Sequence, residues 1–312
     1  MKKTLVIIAA RGIGDLIYHL PLLRSLYESY KNKLTIISNA VNHSKEVYKY
    51  ENFYENIIEF DNTRFGFFKT LVTINDIKKI INSCNVDQLI LTASPRRLMA
   101  PVYLSNVKKK IIFGGGNFLF SKDKKYQHLT HAEKIMQYTE DLNLPIKNKD
   151  FFLTPNKSNA LEETENKYKV FINLDSHHDQ NNWDLNNYIK IIFKLISLDM
   201  KIYVNFSPFK LHFLKKIPEK IIESKQVLLT HNKSILEIID IIKSCKFIVG
   251  NETGPICLGA SLKKEVHSIY LPIHTRPESQ IISKKTFYYN ADTESNDTII
   301  EKVINSIIDK NK

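Results

Sequence analysis

Short β-branched runs alternate with longer amphipathic segments along almost the whole chain, and nothing else in the sequence narrows its fold as far. The first run, Leu5 to Ala9, ends in a glycine-bearing turn, and apolar residues then recur at helical spacing from Leu16 to Tyr30. Leu34 to Ser38 and Ile57 to Phe60 read as strands and Lys69 to Ser83 as a helix. Gln88 to Thr92 and Lys110 to Phe113 read as two further strands. Uninterrupted apolar strands separated by helices predict a parallel sheet covered on both faces.

A second series follows Pro145. Strands are expected at Lys169 to Leu174, Lys201 to Phe206, Val227 to Leu229, Phe247 to Gly250 and His267 to Tyr270. Helices are expected at Asn186 to Leu198, Leu211 to Ile222, Ser234 to Ser244, Gly254 to Leu262 and Asp297 to Asp309. The polar stretch Asn143 to Glu165, with Pro145 and Pro155, separates the two series. A chain of 312 residues exceeds what one hydrophobic core usually serves. The expectation is two Rossmann-like doubly wound domains, 1–150 and 151–312, with the last helix free to pack back on the first. Ligands of such sheets bind beyond the carboxyl ends of the strands, so two domains facing each other would enclose a cleft built from those loops.

Lys and Arg number 45 against 33 Asp and Glu, a net charge of +12. That charge suits nucleic acid, an anionic membrane surface or phosphate-bearing small molecules. The lysines are dispersed among Asn and Ile, as AT-rich coding also produces, and no helix-turn-helix, zinc-finger or RNP-like signature accompanies them, so nucleic acid is not an expected partner. Cys84, Cys245 and Cys257 show no metal-ligand spacing, and three isolated cysteines suit a reducing compartment. MKKTLVIIAA lacks a cleavage site and is closed by Arg11 and Asp15, so it reads as a buried strand rather than a signal peptide. No stretch is long and apolar enough to span a bilayer. The expected location is the cytoplasm, with at most peripheral contact with the anionic inner membrane face.

Two turns stand out. In Ala10-Arg11-Gly12-Ile13-Gly14-Asp15 a glycine-bearing loop joins a strand to a helix, which lets a ligand approach the backbone. The full GxGxxG pattern fails, because Ile17 takes its third position. Asp15 reads either as a site carboxylate or as a first-turn acid stabilising the helix dipole. In Phe247-Ile248-Val249-Gly250-Asn251-Glu252-Thr253-Gly254-Pro255 a buried strand enters a polar turn and a helix. That arrangement suits a diphosphate and a ribose, or is an ordinary loop with Thr253 as helix cap. His177, His178 and Asp179 adjoin one another, but side chains of adjacent loop residues diverge, and no metal is expected.

Together these turns resemble the bacterial heptosyltransferase family. Gly14-Asp15-Leu16-Ile17-Tyr18-His19-Leu20-Pro21 is similar to the family's GD turn and proline-bearing helix. The block from Ser234-Ile235-Leu236-Glu237 through Cys245, Gly250, Thr253, Gly254 and Pro255 to Leu258-Gly259-Ala260-Ser261-Leu262 resembles its G-D-T-G-P region. His128 to Glu133 leading to Asn143-Leu144-Pro145, and Leu174-Asp175-Ser176 followed by Trp183, match more loosely. The chain departs from the family pattern at Glu252, where an aspartate is usual, and at Cys257, where a histidine is. Asn181 and Asn182 stand where a lysine precedes the tryptophan.

The resemblance implies a GT-B fold and inverting transfer of a heptose or related sugar. The donor would be a nucleotide-diphosphate sugar, and the acceptor a glycan or lipid-linked glycan of cell-surface polysaccharide such as lipopolysaccharide. It implies Asp15 as catalytic base. Glu252, Thr253, Gly254, Pro255 and Ser176 would bind the donor, with Lys210 either a substitute phosphate cation or a solvent-exposed lysine. Gly12, Gly14, Arg96, Arg97 and His131 would face the acceptor, although surface roles suit the arginines and packing roles the histidine. No cofactor is expected beyond the donor, itself a substrate. A nucleotide-sugar epimerase, a fucosyl-type transferase and a nucleotide-sugar-binding protein without turnover are the alternatives.

Overall fold

Every run read as a strand in the first half of the chain pairs in parallel with a neighbour. A computed structural model describes residues 2–9, 12–60, 67–93, 96–113, 126, 129–144, 150–154, 169–176, 182–271 and 282–310, with backbone alone at 67–71 and 96–97. The chain divides into two units, Met1–Thr154 and Pro155–Lys312.

The first unit carries β1 (Thr4–Ile8), β2 (Leu34–Asn39), β3 (Tyr54–Phe60), β4 (Gln88–Leu91) and β5 (Lys109–Ile112) in the order β3-β2-β1-β4-β5. Central β1 is buried on both faces, since Leu5, Val6 and Ile7 are fully covered. Its helices are α1 (Ile13–Tyr30), the short α2 (Ser44–Val47), α3 (Phe67–Ser83), α4 (Arg96–Tyr103) and α5 (His131–Asp141). Leu5, Ile7, Leu89 and Leu91 pack against Ile77 and Ile81 of α3 and Leu98 and Val102 of α4. α5 packs along α1.

Residues 150–154 are tied to this unit by Arg24. Its guanidinium bonds Glu51 at 3.0 Å, Asp150 at 2.9 Å and the Phe152 carbonyl at 2.5 Å. The Thr154 N–H donates to the same Glu51 carboxylate at 2.8 Å.

The second unit carries β6 (Lys169–Asn173), β7 (Lys201–Asn205), β8 (Val227–Leu229), β9 (Phe247–Asn251), β10 (Glu265–Tyr270) and β11 (Thr286–Asn290), ordered β11-β10-β9-β6-β7-β8 and all parallel. Its helices are α6 (Leu185–Ser197), the short α7 (Glu219–Ile222), α8 (Ile235–Ser244), α9 (Gly254–Ser261) and α10 (Asn296–Asp309). Tyr188, Ile191 and Leu195 of α6 share one core with Ile299, Val303 and Ile307 of α10, so the closing helix packs within its own unit. Both strand orders reverse direction beside the first strand of the unit, β1 in one and β6 in the other, which places a ligand crevice at the carboxyl ends of β1/β4 and β6/β9.

Several elements differ from the sequence reading. Leu211 to Ile222 is not one helix but a 3₁₀ segment, Pro208–Phe213, followed by α7. Pro218 lacks the N–H needed to continue a helix and disfavours helical backbone at the residue before it. α2, α4 and the edge strand β11 lay outside the expected elements. The Gly114 to Asn117 loop, Lys122 to Lys125, His128 and the His177 to Asn181 stretch lie outside the described residues.

Candidate functional site

Asp15 is the third residue of α1, just beyond the end of β1. Its Oδ2 accepts the Gly12 N–H at 3.0 Å, so part of the carboxylate does tie off the helix N-terminus. Its Oδ1 stands 4.0 Å from His131 Nδ1, within ion-pair reach of a protonated imidazole. His131 opens α5, where Thr130 caps the helix and accepts the Glu133 N–H while Glu133 accepts the Thr130 N–H. That reciprocal cap fixes the helix start and hence the backbone position of His131. Asp15 is mostly covered at 23% side-chain exposure, and His131 is open at 65%.

Behind this pair lies His19, one turn further along α1 and buried. Its Nδ1 donates to the Asp15 carbonyl at 2.6 Å. Burial drives its pKa down to about 4, against the opposing pull of the Asp15 carbonyl and carboxylate, so the ring is neutral. Gly14 lies in the first turn of α1, and the Gly12 N–H is spent on Asp15. Arg96 and Arg97 open α4 beyond the end of β4, and their side chains lie outside the described residues.

In the second unit the strands at the switch point end in asparagine: β6 in Asn173, β7 in Asn205 and β9 in Asn251. The Asn173 and Asn205 side chains link neighbouring strand ends into one polar ladder. The Thr230 hydroxyl donates to Asn205 Oδ1 at 3.1 Å, Asn205 Nδ2 to Asn173 Oδ1 at 2.8 Å, and Asn173 Nδ2 to Thr253 Oγ1 at 3.3 Å. Thr253 therefore does not cap α9 with its side chain; its hydroxyl donates to the Asn251 carbonyl at 3.0 Å. Asn251 Oδ1 accepts from the Tyr188 hydroxyl at 2.7 Å and the Trp183 N–H at 3.3 Å, which pins the loop before α6 against β9.

The remaining donor candidates converge on the same strand ends. Glu252 accepts the Ser268 hydroxyl at 2.7 Å from β10. Ser176 is buried: its N–H donates to Asn182 Oδ1 at 2.5 Å, and its carbonyl accepts the Lys210 ammonium at 2.9 Å. Lys210 is thus drawn over the loop after β6 rather than left in solvent. Asp175 steadies the segment that carries it, accepting the Ser207 N–H at 3.1 and 3.2 Å. Gly254 and Pro255 form the first turn of α9, whose N-terminus presents backbone N–H groups and positive dipole at the end of β9. A Cβ on Gly250 would lie 2.7 Å from the Asn173 carbonyl oxygen, so only glycine lets β9 approach β6 at this point. Asn173, Asn205, Thr230 and Ser268 were not among the sequence candidates; the recurrence of Asn at three strand ends is a sequence signal that could have found the two asparagines.

Among the described residues no group of three or more His, Cys, Asp or Glu could hold a metal ion, and no helix is long and apolar enough to cross a membrane. The arrangement is one partly covered carboxylate beside an imidazole in the first unit. In the second it is a helix N-terminus with a threonine, a carboxylate and a lysine. A base needs the first set, and an anionic leaving group needs the second.

The profile of glycosyltransferase family 9 (heptosyltransferase) matches residues 117–298. A Veillonella parvula glycosyl transferase family 9 structure superposes with a TM-score of 0.79 at 15% identity, covering 98% of this chain and 97% of that one. E. coli ADP-heptose lps heptosyltransferase II gives 0.77 at 13% identity, over 99% and 100%. E. coli heptosyltransferase WaaC with ADP gives 0.74 at 15% identity, over 99% and 100%. No curated protein matches the chain by sequence. With more than half its length under the family profile and two parallel α/β units of GT-B type, the chain belongs to glycosyltransferase family 9, the heptosyltransferases, and is a glycosyltransferase.

Proposed function

We propose that this enzyme moves a heptose or related sugar, with inversion, from a nucleotide-diphosphate donor to a lipid-linked glycan in lipopolysaccharide synthesis. The observation that carries this reading is the Asp15 carboxylate at the carboxyl end of β1, ordered through Oδ2 and flanked at Oδ1 by His131. Asp15 takes the proton of the acceptor hydroxyl as that oxygen attacks the anomeric carbon. The sugar–phosphate bond breaks with its electron pair passing to the departing diphosphate. His131, 4.0 Å from the carboxylate, borders the acceptor side together with Gly12, Gly14, Arg96 and Arg97.

The departing diphosphate is received in the second unit by the α9 N-terminus, the Thr253 hydroxyl and Lys210, the cation held beside Ser176. Glu252, braced by Ser268, holds the ribose or the donor sugar. Adenine as donor base draws support from the similar E. coli WaaC, solved with ADP. The domain roles follow: acceptor to the first unit, donor to the second. No cofactor or metal takes part in this scheme, and an enzyme acting on a lipid-linked acceptor works in peripheral contact with the anionic inner membrane face.

The test uses Asp15→Asn. Transfer from ADP-heptose should fall by a factor on the order of a hundred to ten thousand, while the thermal shift given by ADP stays at the wild-type value. Turnover near wild type in that variant would sink the assignment. The anomeric configuration of the wild-type product, read by NMR, decides between inversion and retention.

A further inference from the structure

The segment after β7 combines two properties that do not belong together on an ordinary surface loop. Its inward side is well anchored. Phe213 and Ile217 are buried, Phe213 meets Phe206 edge-on with ring centroids 5.9 Å apart, and Leu214 packs against the core of the second unit. Ser207 is fixed at the start of the segment through the Asp175 carboxylate and accepts the Phe209 N–H. Its outward side is apolar and basic. Phe209 is 95% exposed and Leu211 53%, with His212, Lys215, Lys216 and Lys220 exposed beside them and Glu219 as the one exposed acid between Pro208 and Lys220.

A loop this firmly anchored holds its phenylalanine out by construction. Large apolar side chains projected from a fixed turn, with exposed lysines following on the same segment, fit the headgroup boundary of a bilayer, where the ring enters the acyl edge and the ammoniums meet anionic phosphates. We propose that Pro208 to Lys220 docks the enzyme on an anionic lipid surface, with Phe209 and Leu211 inserted and Lys215, Lys216 and Lys220 neutralising headgroups. The proposal deepens the lipid-linked-acceptor reading and rests on it. Lys210, the residue between the two inserted side chains, reaches Ser176, so docking sets the donor loop at the membrane face where such an acceptor resides. The charge is complementary to anionic lipid and indifferent to zwitterionic lipid.

The test is co-sedimentation with phosphatidylethanolamine vesicles containing phosphatidylglycerol, beside pure phosphatidylcholine vesicles. The wild-type protein should sediment with the anionic vesicles and remain in solution with phosphatidylcholine. Phe209→Ser/Leu211→Ser should lower the anionic partition about tenfold or more. Lys215→Gln/Lys216→Gln should weaken it and flatten its salt dependence. The ADP thermal shift of each variant, measured without lipid, should match wild type. Equal sedimentation of wild type and the Phe209→Ser/Leu211→Ser variant, or no preference for anionic vesicles, overturns the proposal. So does a lost ADP shift, because Phe209 then serves the nucleotide. If no nucleotide sugar supports transfer while vesicle binding behaves as stated, the functional reading has failed and the docking surface stands.

Discussion

Asp15 and His131 meet across the α1–α5 contact with Oδ1 4.0 Å from Nδ1, while the other carboxylate oxygen is held by Gly12. The first reading of Asp15 had set a helix-capping acid against a site carboxylate. The geometry gives the two oxygens different neighbours: Oδ2 takes the Gly12 N–H of the helix start, and Oδ1 faces His131. His131→Ala removes the imidazole from that oxygen without disturbing the Thr130–Glu133 cap. The expected outcome is about a tenfold to hundredfold fall in turnover with an unchanged ADP thermal shift. Steady-state kinetics with varied acceptor would check it, and wild-type turnover in His131→Ala would remove His131 from the site.

The Arg24 cluster makes a prediction about the end of the first unit. Glu51 is almost fully covered, at 3% side-chain exposure, and Arg24 is its cation. Arg24→Met strands that carboxylate and releases Asp150 and the Phe152 carbonyl, so a loss of about 3–5 kcal/mol is expected. Arg24→Met/Glu51→Leu removes both charges and should recover much of that loss. Urea unfolding measures the stability, and limited proteolysis near residues 150–154 should accelerate in both variants, since each removes the Arg24 bonds to Asp150 and the Phe152 carbonyl.

Strands were the most legible part of this fold because the central ones are buried on both faces. Leu5 to Ile8 and Val170 to Ile172 are unbroken apolar runs, and such runs have few alternatives in a chain of this length. β11 was not legible: Thr286 to Asn290 is an edge strand with Phe287 partly exposed, so its pattern is weak. α4 hid because Pro95 precedes it in the sequence and Pro101 lies within it. Within the site, Asp15 and the Thr253-Gly254-Pro255 turn were legible because local backbone chemistry demands those residues near each other in sequence. The Thr230–Asn205–Asn173–Thr253 ladder joins residues from four places in the chain, and it takes the β7–β8, β6–β7 and β6–β9 registers to bring them together. Lys210 remained ambiguous for the same reason, since its contact with Ser176 spans two loops.

That ladder depends on one close approach. Gly250→Ala would place a methyl 2.7 Å from the Asn173 carbonyl oxygen, 3.0 Å from Ile256 Cδ1 and 3.1 Å from Asn173 Cβ. Ile256 can turn aside, but the Asn173 backbone belongs to a central strand and cannot. The expected cost is about 1–3 kcal/mol of stability, read by urea unfolding. Because the clash also strains the Asn173 side chain that bonds Thr253, the ADP thermal shift should shrink in the same variant. A Gly250→Ala protein with wild-type stability and ADP response would show that β6 and β9 tolerate wider separation.

His19 sets an acid limit on the stability of the first unit. Its pKa falls from an ordinary 6.5 to about 4 in the folded protein because burial disfavours the imidazolium. Between those values the unfolded chain binds a proton that the folded chain does not, so lowering the pH favours unfolding. The contribution is fully present above pH 6.5 and is lost progressively as the pH falls toward 4, amounting to about 3 kcal/mol across the whole window. Urea unfolding at pH 7 and pH 5 should therefore show a drop of about 2 kcal/mol from this residue. In His19→Gln, which retains a donor for the Asp15 carbonyl and has no charge to gain, that part of the drop should disappear even if the variant starts from a lower stability. An identical pH dependence in His19→Gln would mean that the imidazole is not the group excluded from protonation by burial.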